Sequence, residues 1–164
     1  MKHFCARMIC LSLLAILPFG CTSEVEEGPE DDGVPLYFEP ISTGNRANIS
    51  DTLELVIRDR ESWIPVLDSL RPPTPIDSVD FQQAVLLLAA LPQTTSGYSV
   101  EFTSVEERDT VVVAEYQVNA PADDCLTAHA EVVPFQVVLV RRTELPVRFE
   151  RNVVEYRCTF GPRR

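Results

Sequence analysis

Histidine is almost missing from these 164 residues: the chain has two, His3 and His129. Lysine occurs once, at Lys2, and no two cysteines stand in CxxC spacing. There is no G-x-S-x-G elbow and no phosphate-cradling glycine loop, and the apolar stretches fall short of the roughly 20 residues that a membrane-spanning helix needs. These gaps argue against a zinc module of paired Cys and His, a nucleotide-binding loop, a serine-hydrolase elbow and a helical membrane protein. The want of lysine is better explained by genome composition or a salt-adapted host than by function.

What is present begins with the three parts of an export signal. Lys2 and Arg7 give a short basic start, Met8 to Phe19 an apolar stretch, and Gly20 a small residue before Cys21. Leu17-Pro18-Phe19-Gly20-Cys21 resembles the lipobox read by lipoprotein signal peptidase, although Phe19 stands where a small residue is usual. The expectation is a signal peptide over 1–20 and lipidation of Cys21. Acyl chains such as palmitate would then hold the chain in the bacterial cell envelope, at the outer membrane or the cell surface. An ordinary secretory signal that happens to end near a cysteine is the competing reading.

Loss of the signal would leave twelve arginines against 25 acidic residues, a net charge of about −13, which makes nucleic acid an unsuitable partner. Cys5 and Cys10 would leave as well, and Cys21 would take the lipid. Cys125 and Cys158 then remain, and two cysteines in an exported domain predict a disulfide, with two free thiols or a metal pair as the alternatives. Residues 22–33 hold six carboxylates and one large apolar side chain, Val25, too little to bury against the entropy of ordering. This reads as a solvated, self-repelling spacer. The expected organisation is a signal over 1–20, a lipidated cysteine plus acidic tether over 21–48, and one domain over 49–160.

Within that domain, Leu53, Leu55 and Ile57 alternate with polar residues, as in a strand with one buried face. Ser62 can cap a helix carrying Trp63, Val66, Leu67 and Leu70, with Pro65 in its first turn, and Arg71-Pro72-Pro73-Thr74-Pro75 stops it. Ala84 to Leu91 is apolar without a period; its Leu and Ala content leans helical, but a central strand fits as well. Tyr98/Val100/Phe102, Val112/Ala114/Tyr116/Val118 and Phe135/Val137/Leu139 read as consecutive antiparallel strands, the first two joined by the polar turn Glu106–Asp109. A last strand from Val147 to about Tyr156 would bring Cys158 to the loop that carries Cys125. The fold class expected is α+β: a mainly antiparallel sheet or half-closed barrel with one short covering helix.

Chemistry-bearing residues are few. His129 lies near Cys125 and the pair Asp123-Asp124, which invites a Cys/His or Asp/His reading, but a loop histidine beside an oxidised cysteine is ordinarily just solvated. No catalysis, metal or cofactor is expected. After residue 140 seven arginines face Glu144, Glu150 and Glu155 in an otherwise acidic chain, which reads first as a solvated strand face and tail, and second as a docking face for an acidic partner.

Between Leu53 and Arg142 the chain resembles the C-terminal domain of the protease complex subunit PrcB family. The likeness rests on a strand followed by Trp63 in a short helix, Asp80-Phe81 before an apolar run, a Thr95-Ser96-Gly97-Tyr98 turn, and Pro134-Phe135 opening a Val-rich strand. The family has Gly-Gly-Tyr at the turn and Thr-x-Pro-Tyr at the strand; here Ser96, Val132 and Phe135 replace the first glycine, the threonine and the tyrosine. The resemblance implies that Ala84–Leu91 is a strand and that the domain associates with an exported, subtilisin-like protease. Independently, Gly97 fits a turn that needs positive φ and Tyr98 a strand start with its hydroxyl at the edge, so Ser96, Gly97 and Tyr98 form a structural or binding turn. The leading expectation is a non-catalytic envelope lipoprotein that binds or stabilises a partner protein. Its rival is a small-ligand or glycan-binding envelope module using the sheet mouth near that turn and the Cys125 loop.

Overall fold

The structure, a computed structural model, describes residues 33–70 and 79–158, all within one compact unit. The expected signal peptide with Cys21, most of the expected acidic tether and the expected Arg71–Pro75 stop lie outside the described residues. The sheet-forming chain starts before residue 49. β1 (Val34–Pro35) and β2 (Phe38–Gly44) come first, so the segment taken as tether up to 48 already contains two strands. There follow β3 (Leu53–Ile57), α1 (Arg60–Leu70), β4 (Ala84–Ala90), β5 (Gln93–Thr95), β6 (Ser99–Arg108), β7 (Val111–Pro121), β8 (His129–Val132), β9 (Phe135–Arg141) and β10 (Val147–Tyr156).

These strands make two four-stranded sheets, ordered β1-β6-β7-β10 and β2-β9-β4-β3, and a ribbon of β5 with β8. The architecture is α+β, with open and mostly antiparallel sheets and, among the described residues, one short helix. β6 and β7 are antiparallel neighbours, as their alternation suggests, and the hairpin turns at Asp109 and Thr110 after β6 has continued through Glu106–Arg108. β9 is not the next strand in that sheet. It occupies the middle of the second sheet between β2 and β4, and the place beside β7 goes to β10, which runs parallel to it. Alternation tells which side chains share a face, and it leaves the neighbour open.

β4 explains why its sequence has no period. Val85, Leu87, Ala89 and Leu91 enter the core against the first sheet, with Val100, Phe102, Val112 and Tyr116. Leu86, Leu88 and Ala90 enter a second core on the other face, under Trp63 and Leu70 of α1. A strand covered on both sides has apolar residues at every position, so the run is a strand although its composition leans helical.

The helix begins earlier than Ser62. Asp59 accepts the Ser62 N–H at 2.7 Å and the Ser62 hydroxyl at 3.1 Å, so Asp59 is the cap and Ser62 belongs to the first turn. These bonds hold the Asp59 carboxyl below its ordinary range. Pro65 consequently lies inside the helix, beyond its first turn.

Two polar contacts cross the first core. The Gln136 side-chain oxygen accepts the Phe102 N–H at 2.6 Å, next to the register shift between Phe102 and Ser104. Tyr116, fully buried and 5.8 Å from the Phe102 ring, donates its hydroxyl to Glu54 on edge strand β3 at 2.5 Å. Burial, and then the Glu54 bond and charge, push the Tyr116 phenol well above its ordinary value. The neutral phenol is therefore the folded form. Its contribution is complete below about pH 10, where unfolded tyrosine ionises, and is lost as pH rises above that. Wild-type stability in urea titrations should fall as pH rises above about 10, and Tyr116→Phe should flatten that fall. Equal slopes for the two proteins would refute the assignment.

Candidate functional site

The ends of β7 and β10, the loop between β7 and β8, and the turn before β6 meet at one end of the first sheet. β10 follows β7 to its last residue, pairing Tyr156 with Pro121, and the Ala122 N–H then donates to the Tyr156 carbonyl at 2.9 Å. The loop turns back on itself through the Cys125 N–H, which donates to the Ala122 carbonyl at 2.9 Å. Cys158, two residues past the strand, is thereby set beside Cys125. The two form a disulfide with Cα atoms 4.9 Å apart, and Asp124 accepts the Cys158 N–H at 3.4 Å.

The Ser96–Gly97–Tyr98 turn is tied to the same place. Ser96 accepts the Ala128 N–H on its hydroxyl at 2.8 Å, and its own N–H donates to the Ala128 carbonyl at 2.9 Å. Gly97 has φ of 100°, the left-handed conformation that side chains rarely adopt. The Tyr156 hydroxyl donates to the Gly97 carbonyl at 2.9 Å, and Tyr98 packs its ring partly against the first core. A β-carbon at Gly97 would stand 3.1 Å from the Tyr156 hydroxyl and 3.2 Å from Cγ of Pro121. Gly97→Ala should therefore cost about 1–2 kcal/mol, seen as a lower urea midpoint with unchanged slope. An unchanged midpoint would argue against this turn geometry.

The structure brings together the turn, the Cys125 loop and Cys158. It adds residues that the sequence did not single out: Tyr156, the clasp on Gly97, and Leu126, which is 88% exposed directly after Cys125. An aromatic two residues before a bridged cysteine was the available signal for Tyr156. Leu126 gave none. Leu126 and Tyr156, with Val153 and Val154, leave apolar surface open at this end of the sheet.

The catalytic arrangement raised by the sequence is not assembled. Cys125 is bridged, and His129 is exposed on β8 with Nδ1 3.0 Å from the Thr94 carbonyl, which requires that nitrogen to carry the proton. Among the described residues no three His, Cys, Asp or Glu side chains converge as metal ligands, and no helix is long and apolar enough to cross a membrane. A trough of about 780 Å³ lies between residues 45–50 and the β5–β8 ribbon, walled by residues such as Asn45, Arg46, Asn48, Gln93, Thr94 and Glu131. It is open and of mixed character, with Ala47, Ile49, Pro92, Val132 and Val133 among its walls, and neither the Gly97 turn nor the Cys125 loop lines it. Of the five described arginines past residue 140, three are engaged locally: Arg141 with Glu107 at 3.1 Å, Arg142 with Glu144 at 2.7 Å and Arg148 with Glu150 at 2.7 Å. That pairing diminishes the positive face offered to an acidic partner.

The family model described as PrcB C-terminal matches residues 85–141, about a third of the chain. The matched span runs from β4 through β9, so it includes the Gly97 turn and Cys125 but stops short of β10 and Cys158. No curated protein and no solved structure matches the chain.

Proposed function

We propose, from the match of residues 85–141 to the PrcB C-terminal family model, that the chain is a non-catalytic, lipid-anchored envelope subunit that binds or stabilises a partner protein, an exported protease. The family match is the observation that carries this reading. The signal-like pattern of residues 1–20 ahead of Cys21 supports the address, and the Cys125–Cys158 bridge suits an oxidising compartment. The open apolar residues around Tyr156 and Leu126 offer a surface for such a partner.

The test is recovery of the whole protein from its native envelope in mild detergent. A protease should co-purify in near-stoichiometric amount, and replacing Leu126 by Asp should weaken its recovery while leaving the urea midpoint in place. Failure to recover any protein partner would count decisively against the reading. Mass spectrometry of the mature N-terminus tests the anchor separately. An acylated Cys21 supports it, and a free N-terminal cysteine or cleavage elsewhere removes it.

A further inference from the structure

Among the described residues, only one edge of β10 is paired. Its ten residues run parallel to β7 without a register shift, from Val147 against Val112 to Tyr156 against Pro121. The Val112 N–H donates to the Pro146 carbonyl and the Ala122 N–H to the Tyr156 carbonyl, so the even-numbered residues turn their backbone groups toward β7. The N–H and C=O groups of Val147, Phe149, Arg151, Val153 and Glu155 therefore face outward, and no described residue outside the sheet pairs with them. Long strands with a bare edge are ordinarily blunted by proline, a bulge or charged side chains, lysine above all. β10 has no proline, lysine or bulge, and its charges, Arg148, Glu150, Arg151 and Glu155, are of both signs.

The side chains along this edge are self-complementary. Val147 and Phe149 pack against the first core, and by alternation Arg151, Val153 and Glu155 follow on the same face, where the strand is exposed. Val153 is 60% exposed. Neither Arg151 nor Glu155 forms an ion pair among the described residues, whereas the neighbouring Arg148 and Glu150 pair with each other. A valine with an arginine two residues before it and a glutamate two residues after it fits its own reverse.

We propose that β10 pairs edge to edge with β10 of a second copy, antiparallel about a twofold axis at Val153, joining the two first sheets into one. Outward-facing residues are all odd-numbered, so odd must meet odd, and few registers remain. An axis at Arg151 sets two guanidinium groups face to face. An axis at Asn152 sets Arg151 against Val153 and Phe149 against Glu155. An axis at Val154 opposes Arg151 with Arg157. The axis at Val153 places each Arg151 opposite Glu155 of the second copy, twice by symmetry, with the two Val153 side chains between them.

The experiment uses two differently tagged copies of the whole protein in mild detergent, with co-purification as the readout. Wild-type copies should associate. Arg151→Glu with itself and Glu155→Arg with itself should each associate roughly tenfold more weakly, because two like-charge pairs replace two opposite ones. Mixing the Arg151→Glu copy with the Glu155→Arg copy should restore association, since each new charge then meets its opposite. That restoration also shows that both variants are folded. The proposal is overturned if wild-type copies do not associate, if Arg151→Glu associates with itself as wild type does, as it would by merely sharing a micelle, or if the mixture fails to recover.

Discussion

Leu87→Ala and Leu88→Ala should each lower the unfolding free energy by about 3 kcal/mol, within the span usual for a buried leucine cut to alanine. Adjacent residues on a strand point to opposite faces, and on a sheet with one wet face only one of the two would matter. Here Leu87 lies against the first sheet and Leu88 against α1, each at most 1% exposed. The two deletions open cavities in separate core clusters. Adjacent residues on one strand couple through the backbone, so the double variant should lose more than either single one, on the order of 5 kcal/mol, comparable with the entire stability of a small domain, and be largely unfolded at 25 °C. Urea midpoints of the two single variants are the measurement. If either falls by less than about 1 kcal/mol, the corresponding face of β4 is not packed as described.

The same strand marks where the sequence was hard to read. Half-buried strands announce themselves by alternation, and β3, β6 and β7 are visible in that way; β9 is covered on both faces, yet Gln136 after Phe135 leaves enough of a period to read. A strand covered on both faces loses the alternation and resembles a buried helix. Only the resemblance to a known family tipped Ala84–Leu91 toward strand. β1 and β2 carry no readable pattern, because Phe38–Gly44 combines Pro40, a register shift before Ser42 and a terminal glycine, and no period survives. Asp59 and Ser62 are both good caps by residue type, and only geometry shows that the aspartate receives the serine's N–H.

The candidate site divides in the same manner. Gly97 and the two cysteines carry chemical constraints that can be read from residue type: a glycine where positive φ is needed, and two cysteines left over in an exported chain. What joins them is nonlocal. Tyr156 reaches Gly97 across 59 residues because β10 lies parallel to β7 and ends beside Pro121. That pairing follows from which edge of the first sheet was free, and a local pattern carries no record of it.

Replacing both Cys125 and Cys158 by serine should cost about 3–4 kcal/mol, the loop-closure entropy restored to the unfolded chain by opening a bridge of this span. The bridge joins residues 33 apart in sequence. Its effect in the fold should be local as well as global. From Arg151 onward β10 is exposed on both faces and retains only the β7 ladder, the Tyr156 clasp and the disulfide. Without the bridge, backbone amides of residues 152–157 should lose hydrogen-exchange protection well before those of β4 and β9, which are held by both cores. Peptide mapping of the unreduced protein checks the bond itself, and denaturation with and without reductant checks its worth. A midpoint unmoved by reduction, or protection along β10 unchanged in the double serine variant, would show that the end of the strand is held by something other than the disulfide.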